Sequence, residues 1–161
     1  MIEIETHEWG TLKVKEDTII HFQDGLLGFE ELCDFVFVDV AEFRPFVWFS
    51  SVEDPQVRFA VADPFYFSTK AYDVSLSAAD EAGLELEEGD SIAIFVIVSI
   101  DNGQVTGNLK GPIVLNTRNR RAKQLVVYGT SFPVRQPMLN RRVVPLHSAV
   151  ANAAVKTTPA A

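Results

Sequence analysis

The chain has 161 residues, a formal net charge of -8 and a hydrophobic fraction of 47%. This length favours one domain that buries its own core without disulfides or metals. The single cysteine, Cys33, excludes an intramolecular disulfide and fits a reducing compartment. The longest strongly apolar run, 92–100, is too short for a membrane span, which needs about 20 residues. The first residues lack the features of a secretory signal, so we expect a cytoplasmic protein.

The charges are divided unevenly along the chain. Residues 1–101 hold all 22 acidic residues and five basic ones, a balance of −17, whereas residues 102–161 hold nine basic residues and no acidic one. Such asymmetry is typical of an interaction surface or a basic tail, and it equally fits acids and bases that meet across one folded surface. A net negative chain is a poor candidate for binding nucleic acid through its whole surface.

The first half of the chain predicts a series of short strands. Period-two alternation in 2–5 and 12–15 predicts a hairpin around Gly10. The glycines and Asp24 in 23–30 indicate a turn-rich loop. Further strands are predicted at 18–22, 35–38, 45–51 and 58–62, with one more short strand within 66–74.

The second half predicts one short helix followed by more strands. Ser77 can cap a helix of two turns at most, with Asp80 completing a capping box and Gly83 ending it. The uniformly apolar run 91–100 is typical of a central strand covered on both faces. Asn102 and Gly103 then predict a type I′ hairpin turn. The remaining predicted strands are 104–109, 112–116 and 124–128, with a basic loop at 117–123.

These elements predict an all-β, mainly antiparallel fold, a closed or partly open small β-barrel with one short helix. Of the 17 aromatic residues, 13 lie between Phe22 and Tyr72, which indicates a core rather than a ligand-stacking surface. We expect one domain over 1–140 and a flexible, basic, Ala-rich C-terminal tail over 141–161.

No catalytic, metal-binding or cofactor motif stands out. The three histidines, His7, His21 and His147, lack the spacing of metal ligands. Cys33 could act as a nucleophile with a distant histidine, but a small buried side chain is the commoner role. His21 lies on an apolar run and is expected in the core. We therefore expect no cofactor and no metal.

The basic loop leaves a second class of function open. Four cations fall within residues 117–123, so this loop could hold phosphate, or it could be paired with the acidic surface. No aromatic residue lies within 118–123 to stack a base. A nucleic-acid-binding barrel and a small-ligand-binding barrel or enzyme remain the alternatives. The four cations are Arg118, Arg120, Arg121 and Lys123.

Six short motifs, in a shared order, resemble the flagellar assembly factor FliW family. Residues 21–30 (HFQDGLLGFE) resemble its I-x-F-x-x-G-L/I-P-G-F signature, and 46–55 (FVWFSSVEDP) resemble F-x-W-L-Q-S-x-E-D-P. The resemblance spans about residues 2–138. The other matches are 59–65 (FAVADPF) with F-V-V-x-D-P-F, 72–74 (YDV) with D-Y-E-F, 108–117 (NLKGPIVLNT) with N-L-x-A-P-I-V-I-N, and 121–124 (RAKQ) with x-G-K-Q.

The chain also departs from the family pattern at a few positions. Gln23 and Leu27 stand where the family often has proline, and Ser50 replaces the usual glutamine. The C-terminal R-H-P of the family appears as Arg-Gln-Pro at 135–137, followed by the basic tail. These departures concern the contacts that the loop near Leu27 and the chain end would make, and they leave the expected fold unchanged.

The resemblance implies a non-enzymatic regulator of bacterial flagellum biogenesis in the cytoplasm. Members of the family are similar to chaperones in that they bind flagellin, and they also bind the translational repressor CsrA. Free family members remove CsrA from flagellin mRNA, and flagellin that occupies them returns CsrA to repression. The implied partners of this chain are therefore CsrA and flagellin, with no direct nucleic acid and no membrane.

An acidic surface gives this implied role a physical basis, because a protein that binds RNA carries basic surface. We expect exposed acids in turns to steer such a partner, and exposed aromatics to anchor it. The acidic candidates are Glu53, Asp54, Glu85, Glu87, Glu88 and Asp90, and the aromatic candidates are Phe65 and Tyr66.

Overall fold

The computed structural model describes residues 1–68, 72–128 and 132–157. The N-terminal hairpin pairs β1 (Ile2–Thr6) with antiparallel β2 (Gly10–Val14). Its alternation places Ile4, Leu12 and Val14 on one buried face, as period-two alternation requires. The predicted hairpin is confirmed.

A larger sheet contains the other ten strands. Helix α1 (Ala78–Gly83) has the predicted capping box between Ser77 and Asp80, and a second helix, α2 (Ser148–Ala151), follows near the C-terminus. The strands are β3 (Ile20–Phe22), β4 (Asp34–Val40), β5 (Val47–Ser51), β6 (Arg58–Ala62), β7 (Ile92–Asp101), β8 (Gln104–Gly107), β9 (Ile113–Asn116), β10 (Arg121–Gln124), β11 (Gln136–Pro137) and β12 (Val155–Thr157). Short 3-10 turns occupy Glu16–Thr18, Ala41–Phe43 and Pro64–Tyr66.

The strand order is β11-β8-β7-β6-β5-β4-β3-β10-β9. Strand β7 also pairs with β9 through residues 92–95, so the path of paired strands returns to β7. Two pairings are parallel, β3 with β10 and β4 with β12, and the others are antiparallel. The prediction of a mostly β, mainly antiparallel fold with a short helix is confirmed, and α2 is an addition to it.

Phenylalanines fill the core that the sheet encloses. The rings of Phe35 and Phe49 stack with centroids 4.8 Å apart, and Phe22 meets both edge-on. Phe37 and Phe95 continue the cluster. These contacts confirm that the aromatic-rich segment builds the core, since each ring removes a large apolar area from water.

Several strands are buried on both faces. In β7, Phe95 points into the phenylalanine core, whereas Val96 and Val98 pack with Tyr66 and Phe67 in a second cluster outside the sheet. The predicted two-faced burial of β7 is confirmed for residues 92–98. Its last residues, 99–101, are exposed, because there the strand extends into the hairpin with β8.

Two predicted strands are wrong in position. Strand β10 lies at Arg121–Gln124, so it takes the end of the predicted basic loop 117–123 and only the first residue of the predicted strand 124–128. Residues 125–128 form no strand. The alternation of charged and apolar residues in β10 is too short to distinguish from a loop. The strand predicted within 66–74 is absent from 66–68 and 72–74, and residues 69–71 lie outside the described part of the chain.

The C-terminal segment differs from the flexible tail expected over 141–161. Its residues 148–151 form α2, in which Val150 is only 2% exposed, and β12 pairs in parallel with β4. The segment is ordered because its apolar residues reach the core, where Leu146 and Ala149 pack beside Val150. Residues 158–161 lie outside the described residues.

In the part of the chain that the structure describes, no helix has the length and apolarity needed to cross a membrane.

Candidate partner-binding surface

The acidic turn 85–90 packs against the basic loop 117–123. Arg118 Nε donates to Asp90 Oδ1 at 2.8 Å, and Arg121 Nε lies 3.1 Å from Glu85 Oε2. Arg118 also lies 3.8 Å from the exposed Glu87 carboxylate. We call this set of ion pairs the charge seam; a further pair, Lys123 Nζ with Asp80 Oδ1 at 2.7 Å, extends it to α1.

Asp90 is the most tightly held acid of the charge seam. Its carboxylate accepts hydrogen bonds from Arg118, from the Glu87 main-chain N–H and from Asn116 Nδ2. The hydrogen bond from Arg118, followed by that from Glu87, lowers the pKa of Asp90 to about 2. Asp90 thus has a structural role, and its side chain is not exposed as expected, with only 7% of it accessible.

The remaining cation of the loop, Arg120, is turned inward. Its guanidinium donates to the main-chain oxygens of Ala149 and Thr18, at 3.2 Å each. Burial lowers the pKa of Arg120, although Asp17 opposes the shift. All four cations of the basic loop are therefore engaged within the protein, which favours internal pairing over nucleic-acid binding.

An open groove of about 620 Å³ lies between the loop 23–30 and α1. Leu27, 59% exposed, stands on one side, and the exposed Ala79 and Ala82 of α1 stand on the other. The Leu27 N–H donates to Gln124 Oε1 at 3.0 Å, so β10 positions the loop. We call this surface the Leu27 groove.

Glycine allows the loop beside the groove to turn back on itself. Gly25 has φ +67, and a Cβ at this position would lie 2.5 Å from the Glu30 main-chain oxygen. Only glycine fits such a close approach. The exposed Asp24 and the apolar Leu27 are thereby held side by side at the groove.

The acids of the turn 85–90 are not equally exposed. Glu88 is exposed, and Glu87 has 72% of its side chain exposed despite its long contact with Arg118. Glu85 is also largely exposed but pairs with Arg121. Glu87 and Glu88 therefore remain the candidates of the acidic turn, with Glu85 shared between the charge seam and solvent.

The other predicted acids lie in the turn between β5 and β6. Glu53 accepts hydrogen bonds from the main-chain N–H groups of Cys33 and Asp34, and from Ser51 Oγ. It thereby holds the start of β4, a structural role, while it stays exposed as expected, and its docking role remains a prediction. Asp54 is exposed and accepts a hydrogen bond from the Gln56 N–H across its own turn.

The two predicted aromatic anchors are covered by the chain itself. Tyr66 is buried, 2% exposed, and its hydroxyl accepts a hydrogen bond from the Val144 N–H at 3.0 Å. Phe65 is half-buried, with the Arg141 guanidinium 4.5 Å from its ring centroid. The prediction that both are exposed is wrong, because the sequence does not show where residues 141–144 lie.

Among the described residues, the side chains of Cys33 and His21 contact Glu30 and Asp34, respectively, and the two do not pair with each other. Burial, and then the charge of Glu53, raise the pKa of the Cys33 thiol, which lowers its reactivity. His21 is exposed, not in the core as expected, and its Nδ1 lies 2.7 Å from Asp34 Oδ1. Within the described ranges, no three His, Cys, Asp or Glu side chains converge as metal ligands would.

The Arg58 side chain lies between two indole rings, an arrangement that the sequence did not indicate. The Arg58 guanidinium lies 4.9 Å from the Trp9 ring centroid and 4.7 Å from that of Trp48, and it pairs with Glu8. These contacts fasten the N-terminal hairpin to β5 and β6. Sequence separation conceals the arrangement, since Trp9 lies in the turn of the N-terminal hairpin and Arg58 lies in β6 of the larger sheet.

The fold and its surface define a small, mainly antiparallel β protein with internally paired charged loops and an open groove lined by Leu27 and the exposed Asp24. A family model described as "FliW protein" matches residues 3–138. The chain belongs to the FliW family.

Curated relatives carry the description "Flagellar assembly factor FliW". One from Caldanaerobacter subterraneus subsp. tengcongensis is 33% identical over 141 residues, 86% of this chain and 93% of the relative. One from Bdellovibrio bacteriovorus is 35% identical over 146 residues, 88% of this chain and 83% of the relative. A crystal structure of the flagellar assembly factor FliW superposes with a TM-score of 0.76 at 30% identity, covering 84% of this chain and 96% of its own.

Proposed function

We propose that this FliW family protein is a non-enzymatic, cytoplasmic regulator of flagellin synthesis that binds the repressor CsrA and flagellin. By binding CsrA, the protein would antagonise the binding of CsrA to RNA. Flagellin would compete with CsrA for the protein, so that flagellin controls how much CsrA is free to repress translation. The closed or partly open small barrel predicted from the sequence is supported by the strand pairings that leave β7 and return to it.

One observation favours this function over RNA binding by the protein itself. The charge seam and the inward-turned Arg120 engage the cations of the basic loop, whereas Glu87 and Glu88 stay exposed on the turn beside it. A surface with engaged cations and free carboxylates attracts basic proteins and repels phosphates. CsrA, as an RNA-binding protein, presents the complementary charge.

The Leu27 groove supplies the apolar part of the same surface. Leu27 lies on the loop that carries the first family motif, and Gln124 of the last motif holds its main chain. An exposed leucine facing small side chains can accept an apolar side chain of a partner. We assign the CsrA contact to this groove and the acidic turn that follows α1.

An RNA release experiment tests the proposal. Labelled RNA from a flagellin leader is bound to CsrA, the protein is added, and the anisotropy of the RNA is followed. We expect stoichiometric release of RNA, and its recapture by CsrA when purified flagellin is added. RNA that stays on CsrA, with no complex between CsrA and this protein on gel filtration, would contradict the proposal.

A further inference from the structure

The main chain that follows β10 is hydrogen-bonded along one of its two sides. The Leu125 N–H donates to the Pro112 oxygen at 2.8 Å. The Val127 N–H donates to the Lys110 oxygen at the same distance. This pairing is one-way at Pro112, which has no N–H to donate in return. Because successive residues of an extended chain direct their main-chain groups to opposite sides, those of Val126 point away from residues 110–112.

The other side of this segment is an unpaired sheet edge formed by Val126 and Tyr128. We call it the 126–128 edge. Among the described residues, neither the N–H nor the oxygen of these two residues has a hydrogen-bond partner. Their side chains are 41% and 80% exposed. The edge has no charge and no proline, so it lacks the features that protect a sheet edge from pairing with another chain.

The 126–128 edge continues the side of β10 that β3 occupies. Strand β3 pairs with β10 only at residues 121–122, and the chain leaves the sheet after Phe22 as the loop 23–30. In the described part of the chain, no strand takes the place of β3 beyond that point. The Leu27 N–H of this loop donates to Gln124 Oε1, so the Leu27 groove adjoins the open place.

The charges around the open place favour a cationic occupant. Asp24 lines the groove and is exposed, whereas the Lys123 side chain beside it is paired with Asp80 at 2.7 Å. The exposed Lys110 lies on the far side of the 126–128 edge, across the paired chain. With a net charge of -8, a second copy of the protein is repelled, and a basic segment is attracted.

We propose that the 126–128 edge and the Leu27 groove together dock an extended, cationic segment of a protein partner by strand addition. The main chain of the segment pairs with Val126 and Tyr128, an apolar side chain contacts Leu27, and a basic side chain lies near Asp24. Main-chain pairing supplies affinity, and the groove and its charge supply selectivity. The proposal rests on the protein-binding role proposed above and adds the geometry of the bound segment.

Hydrogen exchange at the two edge amides tests the docking mode with two probes. One probe is CsrA, and the other is a short synthetic peptide in which lysine alternates with valine. In the free protein the Val126 and Tyr128 amides should exchange fast, because they have no hydrogen-bond partner. Either probe should slow them about tenfold or more, with a smaller change at Val127, which is already bonded. Edge amides that neither probe slows overturn the proposal.

Two controls test the identity of the occupant. A matched peptide with glutamate in place of lysine should leave the edge amides fast, and equal protection by both peptides overturns the cationic segment. Exchange is also followed in the free protein as its concentration rises. Protection that increases with protein concentration alone would assign the edge to a second copy and overturn the proposal.

A proline variant tests the main-chain contact itself. Val126→Pro removes only the outward N–H, because the N–H groups that pair with residues 110–112 belong to the neighbouring residues. It should weaken peptide binding about fivefold to tenfold, as for one lost hydrogen bond. Val126→Thr keeps the N–H and should bind within about twofold of the parent. Equal binding by parent and both variants overturns the proposal, and the exchange test on the parent does not depend on whether the proline variant folds.

The two proposals fail separately. Binding of CsrA and flagellin, combined with edge amides that neither probe slows, contradicts the edge proposal alone. Protection of the edge by the lysine peptide, combined with an absence of CsrA and flagellin binding, contradicts the proposed function alone.

Discussion

Arg118 Nε and Asp90 Oδ1 meet at 2.8 Å and join two loops of opposite charge. Asp90 belongs to the acidic first part of the chain and Arg118 to the basic second part. The uneven charge distribution in the sequence is therefore partly neutralised within the fold. The acids that stay largely exposed, Glu87 and Glu88 above all, form the acidic surface that we propose for partners.

The Asp90–Arg118 pair predicts an acid-sensitive contribution to stability. The pKa of Asp90 is lowered to about 2, so its contribution is present above the unfolded-state pKa of about 3.9 and is lost as pH falls through 2. Asp90→Asn should lower the urea midpoint at pH 7, and the difference from the parent should vanish near pH 2. Urea titrations across this range measure it, with the exposed Glu88→Gln as control. A deficit that persists unchanged at pH 2 would contradict the linkage.

Tyr72 predicts that the stability of the fold also depends on pH in the alkaline range. Burial raises the pKa of Tyr72 to about 12, and its hydroxyl donates to the Leu109 main-chain oxygen. The stability from the neutral phenol is present below about pH 10 and is lost as pH rises through 12. Tyr72→Phe should cost about 1 kcal/mol at pH 7 and decline less steeply between pH 10 and 12. Parallel unfolding curves for parent and variant over that range would refute the expectation.

Strong local signals made much of the fold predictable. The Ser77–Asp80 capping box and the Asn102–Gly103 turn depend on neighbouring residues, and the structure shows both where the sequence indicates them. The apolar run of β7 likewise identifies a strand with two covered faces. Long-range pairings carry no such signal, so β12 beside β4 and Arg120 beneath α2 emerge only in the folded chain.

The candidate site was less predictable than the fold. Acidic residues in turns were expected to be free, yet Glu53 accepts a hydrogen bond from the Asp34 N–H at the start of β4, and Asp90 accepts one from the Glu87 N–H of its own turn. A carboxylate in a turn is a good hydrogen-bond acceptor for nearby N–H groups, and the sequence does not distinguish that role from docking. The sequence gives a clearer indication for Leu27, because it is an apolar residue between Gly25 and Gly28 of a turn-rich loop.

The stacked rings of Phe35 and Phe49 predict a large energetic effect in the core. Phe49 is 1% exposed and contacts Phe22, Phe35 and Phe37. Phe49→Ala should lower the free energy of unfolding by about 3–5 kcal/mol, with Phe49→Leu costing less because it leaves a smaller cavity. Urea denaturation measures both variants. Equal stability of Phe49→Ala and the parent would be incompatible with this core.

Leu27 predicts a change in binding without a change in stability. The side chain is 59% exposed, so Leu27→Ser should shift the free energy of unfolding by no more than about 0.5 kcal/mol. CsrA affinity should fall about tenfold, as for an anchor residue. Ile100→Thr, at a similarly exposed apolar residue outside the groove, is the control and should bind normally. Calorimetric titration with CsrA measures the affinity of each variant. An unchanged affinity of Leu27→Ser would show that the Leu27 groove does not contact CsrA.

A titration of CsrA at low and at physiological salt tests the acidic docking surface most directly. Glu87→Gln with Glu88→Gln should slow association several-fold at low salt and flatten its salt dependence, because steering by exposed charges is screened by ions. Glu3→Gln with Glu16→Gln removes the same charge from exposed positions in the N-terminal part and should behave like the parent. Association that is equally fast and equally salt-dependent in all three proteins would contradict docking through the acidic turn.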